Sequence, residues 1–232
     1  MEFDRFSQDY ADHVNEALAF SGTEQEFYLR AKAEQIARLA REHLADVPSP
    51  SLLDVGCGVG LIHSMLRDRY PDLTGVDVAP AALALARKLQ SGGRFALYDG
   101  RRLPFDADAF DLTYAVNVMH HVPPDSWEAF AAELSRVTRP GGLVVVFEHN
   151  PWNPLTRVIV SRCEFDDDAV LLAQGRLRRL LRGSGLVECD HRHIVFFPWS
   201  GRPWASIERS LGWLPLGAQH LVAARKPQAS RP

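Results

Sequence analysis

A chain of 232 residues, 46% of them hydrophobic and 24% charged, has enough apolar material for one α/β domain with additions. Its formal net charge of -3 and pI of about 6.3 exclude a broad basic surface for nucleic acid or anionic membranes. Cys57, Cys163 and Cys189 lack metal-ligand and disulfide-framework spacing, the first residues lack a basic-then-apolar leader pattern, and no apolar run reaches membrane-span length. A cytoplasmic protein in a reducing compartment is expected.

Taken in chain order, residues 9–20 carry Tyr10, Val14, Ala17 and Leu18 at helical spacing before Ser21-Gly22 breaks the run. Thr23 with Glu26 forms a capping-box pattern. The helix it opens aligns Phe27, Ala31, Ile36, Leu39 and Leu44 and stops before Pro48-Ser49-Pro50. Strands and helices then alternate. Strands are expected over 52–55, 73–78, 95–98, 110–116 and 143–147, and helices over 59–70, 79–90 and 125–137. Such alternation argues for a parallel sheet covered on both faces. Beyond it, 151–166 reads as a loop or insertion and 167–182 as a helix. Two late strands, 187–197 and 220–225, flank a segment rich in Pro, Gly and Trp, and the last six residues read as a frayed tail.

The informative segment is Leu52-Leu53-Asp54-Val55-Gly56-Cys57-Gly58-Val59-Gly60, a strand running into a glycine turn that opens a helix. Glycines there let the backbone approach a ligand closely. A dinucleotide fingerprint needs G-x-G-x-x-G, but the third glycine falls at 60 and Leu follows at 61. Asp54 at the strand end would repel a pyrophosphate and attract an ammonium or sulfonium. Asp77 closes the next strand, where a carboxylate can accept both hydroxyls of a ribose. Asp99 closes the third and could accept from an adenine amino group. Each acid alone reads as a cap or turn residue; their recurrence at successive strand ends argues otherwise.

Together LLDVGCGVG, the GVD ending at Asp77, YDG at 98–100, FDLTYAVNVMHHV and RPGG resemble the class I S-adenosylmethionine (SAM)-dependent methyltransferases, most specifically over residues 50–150. The resemblance implies an α/β fold: a doubly wound, mostly parallel, Rossmann-like sheet of seven strands, the last inserted antiparallel, with an N-terminal helical lid. The expected organisation is a lid over 1–48, a SAM-binding core over 49–226 with an insertion near 151–175, and the tail 227–232. By position, Asp54, Gly56, Cys57, Gly58 and Gly60 would hold the methionine part of SAM. Asp77 with Val78 would hold the ribose, Asp99 with Gly100 the adenine, and Asn117 would lie beside the sulfonium. Tyr10 and Phe20 are lid-contact candidates. The run Glu148-His149-Asn150-Pro151 resembles a subgroup of bacterial small-molecule methyltransferases.

Methyl transfer is an in-line displacement, so the protein mainly positions reactants and excludes water. An alcohol or phenol acceptor needs a base, whereas an amine needs only to arrive unprotonated. Histidine suits that base, and the candidates in order are His149, His121 and His13. Against this, His120-His121 can be read as shaping the loop before Pro123-Pro124. Asp166-Asp167-Asp168 reads as a helix start, and no metal is expected. The stretch 176–182 reads as a solvated basic helix face. Trp199, Trp204 and Trp213 with Phe196 and Phe197 read as core or lid packing, with an aromatic wall for an apolar acceptor as the alternative.

A small-molecule acceptor and no nucleic-acid partner are expected. Enzymes methylating exocyclic or amide nitrogen carry Asn/Asp-Pro-Pro-aromatic after the fourth strand, and Asn117-Val118-Met119-His120 departs from it. The aromatic C-terminal region could cover a homodimer partner. A non-catalytic SAM-binding protein and SAM chemistry other than methyl transfer stay open, because fold alone does not give function.

Overall fold

The structure, a computed structural model, describes residues 25–163, 169–197 and 202–228. Its centre is a seven-stranded sheet: β1 (Leu52–Val55), β2 (Leu73–Asp77), β3 (Arg94–Leu97), β4 (Phe110–Val116), β5 (Thr138–His149), β6 (Val187–Ile194) and β7 (Gln219–Arg225). The spatial order is β3-β2-β1-β4-β5-β7-β6. Strands β1 to β5 pair in parallel, and β7 lies between β5 and β6, antiparallel to both. The sheet is thus the mostly parallel, doubly wound one expected, with its late strand inserted antiparallel. The chain reverses direction across the sheet between β1 and β4. In such a sheet, ligands bind beyond the carboxyl ends of the strands at that switch point.

Strand periodicity sorts the apolar residues onto two faces. Leu53, Val55, Val144, Val146, Val222 and Ala224 point one way, onto α4 (Trp127–Val137) through Phe130 and Leu134 and onto α6 (Gln174–Gly183) through Leu177 and Leu181. Leu52, Leu112, Leu143, Val145, Phe147 and Leu221 point the other way, onto α1 (Gln25–His43) through Ile36 and Leu39 and α2 (Leu61–Leu66) through Ile62 and Leu66. Strands buried on both faces need unbroken apolar runs, which is why Leu143–Phe147 holds no polar residue. Helix α3 (Pro80–Leu89) connects β2 to β3 and begins with proline at its first position.

Several boundaries differ from the sequence expectation. Helix α2 starts at Leu61, because Gly60 sits in the left-handed region and acts as its cap. Strand β5 runs through Pro140-Gly141-Gly142, where a stop was expected. Any Cβ on Gly142 would lie 2.8 Å from the Asp111 carbonyl oxygen, so glycine lets the strand pass. The region 151–166, expected to be a loop, holds α5 (Pro154–Val160). Asn153 caps it by accepting the Thr156 N–H at 3.0 Å, a cap–proline start signal hidden by the helix's shortness. Helix α6 begins at Gln174. Strand β6 ends at Ile194, where Val195 takes a positive φ of 61°. Another helix, α7 (Arg202–Leu211), occupies the Pro- and Trp-rich segment before β7. The expected Thr23 cap and the acids at 166–168 lie outside the described residues.

Candidate active site

Strand β1 is buried along its whole length and delivers Asp54 and the glycine turn to the switch point. The turn folds back onto β2, since the Val76 carbonyl accepts the N–H groups of both Gly56 and Cys57 at 2.8 and 3.0 Å. Gly56 and Gly58 have φ of 75° and 53°, values that disfavour any side chain. Their surroundings differ. A Cβ on Gly56 would stand 2.4 Å from a Val118 methyl, so this glycine brings the β4 loop against the turn. A Cβ on Gly58 would meet nothing within 4 Å, so that glycine keeps a space open. The Cys57 thiol packs toward Gly75 and lies 3.7 Å from the Gly58 carbonyl; burial pushes its pKa up.

Two acids reach this turn. Asp54 is buried, and burial pushes its carboxyl up to about 8. The Tyr114 hydroxyl, close by but outside normal hydrogen-bond geometry, lowers it in part, while the Asp77 charge raises it further. Among the described residues Asp54 has no ion pair, so the environment lacks the cation that would offset desolvation. Asp77 accepts the Gly58 N–H at 2.7 Å on one oxygen and the Ala79 N–H at 2.9 Å on the other. It therefore ties the glycine turn to the start of α3. Asp99, exposed beyond β3, accepts the N–H groups of Arg101 and Arg102 at 2.9 and 2.8 Å on one oxygen, and these bonds hold its pKa below the ordinary value. Val78 and Gly100 face each other there, a Gly100 Cβ position lying 3.5 Å from a Val78 methyl.

The carboxyl ends of β4 and β5 supply the other wall. Asn117 follows β4 with a φ of 54°, a conformation asparagine tolerates better than most residues, and donates its N–H to the Phe147 carbonyl at 2.9 Å. Its side-chain nitrogen is 3.2 Å from His149 Nε2. Glu148, wholly buried one residue earlier, accepts the Met119 N–H at 2.8 Å and lies 2.6 Å from His120 Nδ1. Burial would raise this carboxyl, but His120 beside it, with weaker help from His149 and His220, holds it below the usual carboxylate range. The His120 ring centroid is 4.1 Å from that of His121 and 5.1 Å from that of His149. Trp127 fixes the loop, donating its indole N–H to the Met119 and Val122 carbonyls at 2.8 and 2.9 Å.

The candidates named from the sequence thus fall in two groups. Asp54, Gly56, Cys57, Gly58, Gly60, Asp77, Val78, Asp99 and Gly100 lie at the ends of β1, β2 and β3. At the ends of β4 and β5, Asn117 reaches His149, and His121 and His149 each pack on His120. Tyr10, His13 and Phe20 lie outside the described residues. Sequence reasoning gave no role to Glu148 and offered loop shaping as the alternative for His120 and His121 alike. The available signal was a carboxylate directly after the apolar run Leu143–Phe147, where a buried charge needs a partner. No group of three or more metal-ligating side chains is found among the described residues.

Residues 53–146 match the family described as a methyltransferase domain. The chain is 26% identical over 248 aligned residues to a 2-methyl-6-phytyl-1,4-hydroquinone methyltransferase from Synechocystis, a match spanning 95% of this chain and 76% of that protein. It is 30% identical over 194 residues to the methyltransferase GfsG from Streptomyces halstedii, spanning 75% of this chain and 66% of the relative's own length. Among solved structures, a SAM-dependent methyltransferase from Thermotoga maritima, described as a possible histamine N-methyltransferase, shares the fold at a TM-score of 0.68 and 19% identity. That match covers 97% of this chain and 98% of the other.

Proposed function

The chain belongs to the class I SAM-dependent methyltransferases, and from that premise we propose that it binds SAM in the crevice at the ends of β1 to β4 and methylates a small molecule. The observation carrying this reading is the Asp54 carboxyl, buried without an ion-pair partner among the described residues beneath an open glycine turn. That combination fits a ligand that is compact and cationic where it meets Asp54, and adenosine-like where it meets Asp77, Val78 and Asp99.

SAM when bound supplies a methyl group on a positively charged sulfur, open to displacement by a nucleophile. The chain's own residues have three tasks. Asp54 offers its charge to the cationic end of the cofactor, which favours the ionised carboxylate. Asp77, already preorganised by the N–H groups of Gly58 and Ala79, presents its remaining acceptor capacity to the ribose hydroxyls. Gly58 leaves the space the methionine part needs. On the β4–β5 side, His149 and His121 are half-buried at the crevice and supply a base for an acceptor whose reacting atom must lose a proton. The match to a 2-methyl-6-phytyl-1,4-hydroquinone methyltransferase supports a small-molecule acceptor.

Calorimetric titration with SAM and with S-adenosylhomocysteine tests the reading. Micromolar binding, followed by a mass gain of one methyl group in a panel of hydroxylated and amine acceptors, is the expected result. Absence of binding by either ligand, in the presence or absence of those acceptors, would sink it.

A further inference from the structure

The β4–β5 wall contains more proton-binding chemistry than cofactor binding needs. Glu148 carries both carboxylate oxygens in hydrogen bonds, one from a backbone N–H and one from an imidazole. The Met119 N–H must donate to Oε1. An ionised Glu148 can only accept, so His120 keeps its proton on Nδ1 and turns Nε2 away as the basic atom. His120 itself is too buried to touch an acceptor, but its ring packs on both half-buried imidazoles, His121 and His149. The groups facing this cluster are Asn117 from β4, Glu148 from β5, and His220 and His193 from β7 and β6; His220 stands across the ladder from Glu148 and from His193.

We propose that Glu148 and His120 are positioning residues: the buried carboxylate fixes the tautomer and orientation of His120, and through it sets the proton affinity of His149 and His121, the imidazoles that meet the acceptor. The inference rests on the proposed methyl transfer only for the word acceptor; the tautomer and the coupling are properties of the free protein. The physical basis is the familiar carboxylate–imidazole arrangement, in which the acid acts by orientation and charge and is not itself protonated. Glu148 directly precedes His149 in the chain, and the ring it holds, His120, lies 5.1 Å from the His149 ring, centroid to centroid.

The test is nitrogen NMR of the full chain with labelled histidines, in the wild type and in Glu148→Gln. Glutamine keeps an oxygen for the Met119 N–H but turns an NH2 group toward His120 Nδ1. The tautomer should therefore invert, from Nδ1–H in the wild type to Nε2–H in the variant. Loss of the carboxylate charge should also lower the titration midpoint of His149 by about half a unit or more. A wild-type His120 protonated on Nε2 would overturn the proposal, and so would a variant in which the His121 and His149 titrations stay where they were. The wild-type tautomer decides the first point even if the variant fails to fold. His120→Gln, which removes the link but keeps the carboxylate, should also move the His149 and His121 midpoints, and unchanged midpoints there would overturn the coupling through His120. SAM titrations on the same samples keep the readings separate. Failure of both proteins to bind SAM while the tautomer inverts would strike the functional reading and leave the pair intact.

Discussion

Asp77 accepts the Gly58 N–H at 2.7 Å, so the acid ending β2 and the glycine turn following β1 form one unit, 19 residues apart in the chain. Its other oxygen holds Ala79. Replacing Asp77 with alanine leaves both N–H groups without this acceptor and removes the proposed ribose contact. SAM affinity should fall about tenfold or more, and stability by about 1–3 kcal/mol. Asp77→Asn should weaken binding too, because its amide must set an N–H against one of the two backbone donors. Calorimetry and denaturant unfolding check both, and full affinity in Asp77→Asn would remove the carboxylate from the binding account.

Asp54 predicts an opposition between stability and binding. Its carboxyl is pushed up to about 8 in the folded chain, against an unfolded value near 3.8. Between those values the folded state holds the extra proton, so Asp54 makes the fold less stable as pH rises from about 4 to about 8. Asp54→Asn removes that penalty and should be more stable than the wild type at pH 7. It should also bind SAM more weakly. In the wild type, SAM affinity should strengthen between pH 5.5 and 7, by up to about tenfold per unit, with proton release on binding. Titrations in buffers of different ionisation heat measure that release, and its persistence in Asp54→Asn would assign it elsewhere.

The two glycines should separate folding from binding. Gly56→Ala forces a Cβ to within 2.4 Å of Val118 in a conformation alanine disfavours, so it should destabilise by more than the ~1–2 kcal/mol of backbone strain alone. Gly58→Ala carries the strain without the clash. It should fold at a modest cost yet lose most SAM affinity, because the methyl projects into open space. Thermal unfolding paired with calorimetry distinguishes them, and wild-type affinity in a folded Gly58→Ala would place the ligand elsewhere.

The placement of the candidate residues on β1 to β3 was legible because each strand ends in its own acid or glycine, and the ends of neighbouring parallel strands must share one crevice. Asp54, Asp77 and Asp99 needed only strand order to be placed. The Glu148–His120 pair was not legible, because it joins residues 28 apart through the adjacency of β4 and β5. Nothing local to His120 distinguishes it from His121; only the folded loop, held by Trp127, turns His120 inward to Glu148. Helices α5 and α7 escaped for another reason. Helix α5 spans seven residues, too few for a periodic stripe, and α7 lies in a segment whose Pro, Gly and Trp content reads as irregular.

Acid should unfold the chain partly through His220. Its Nε2 lies 2.9 Å from the Leu172 carbonyl and must donate to it, while buried Nδ1 has no hydrogen-bond partner among the described residues. Burial drives the pKa down to about 4, with the Leu172 bond and Glu148 opposing and His193 assisting. The folded state therefore binds fewer protons than the unfolded one between about pH 4 and 6.5, and the contribution of His220 is lost as pH falls through that window. His63, pushed to about 4 chiefly by burial and then by Arg67 and Arg94, acts in the same sense. Asp54 acts oppositely over an overlapping window, so the raw slope of Tm with pH mixes the two. The decisive quantity is the difference between wild type and His220→Gln, which keeps a donor for Leu172 without a group that must charge. Calorimetric scans at pH 7, 5.5 and 4.5 should show the variant losing less than the wild type, by about 3 °C or more at the lowest pH. Parallel slopes would mean that His220 titrates in the folded state much as it does in the unfolded chain, contrary to its burial.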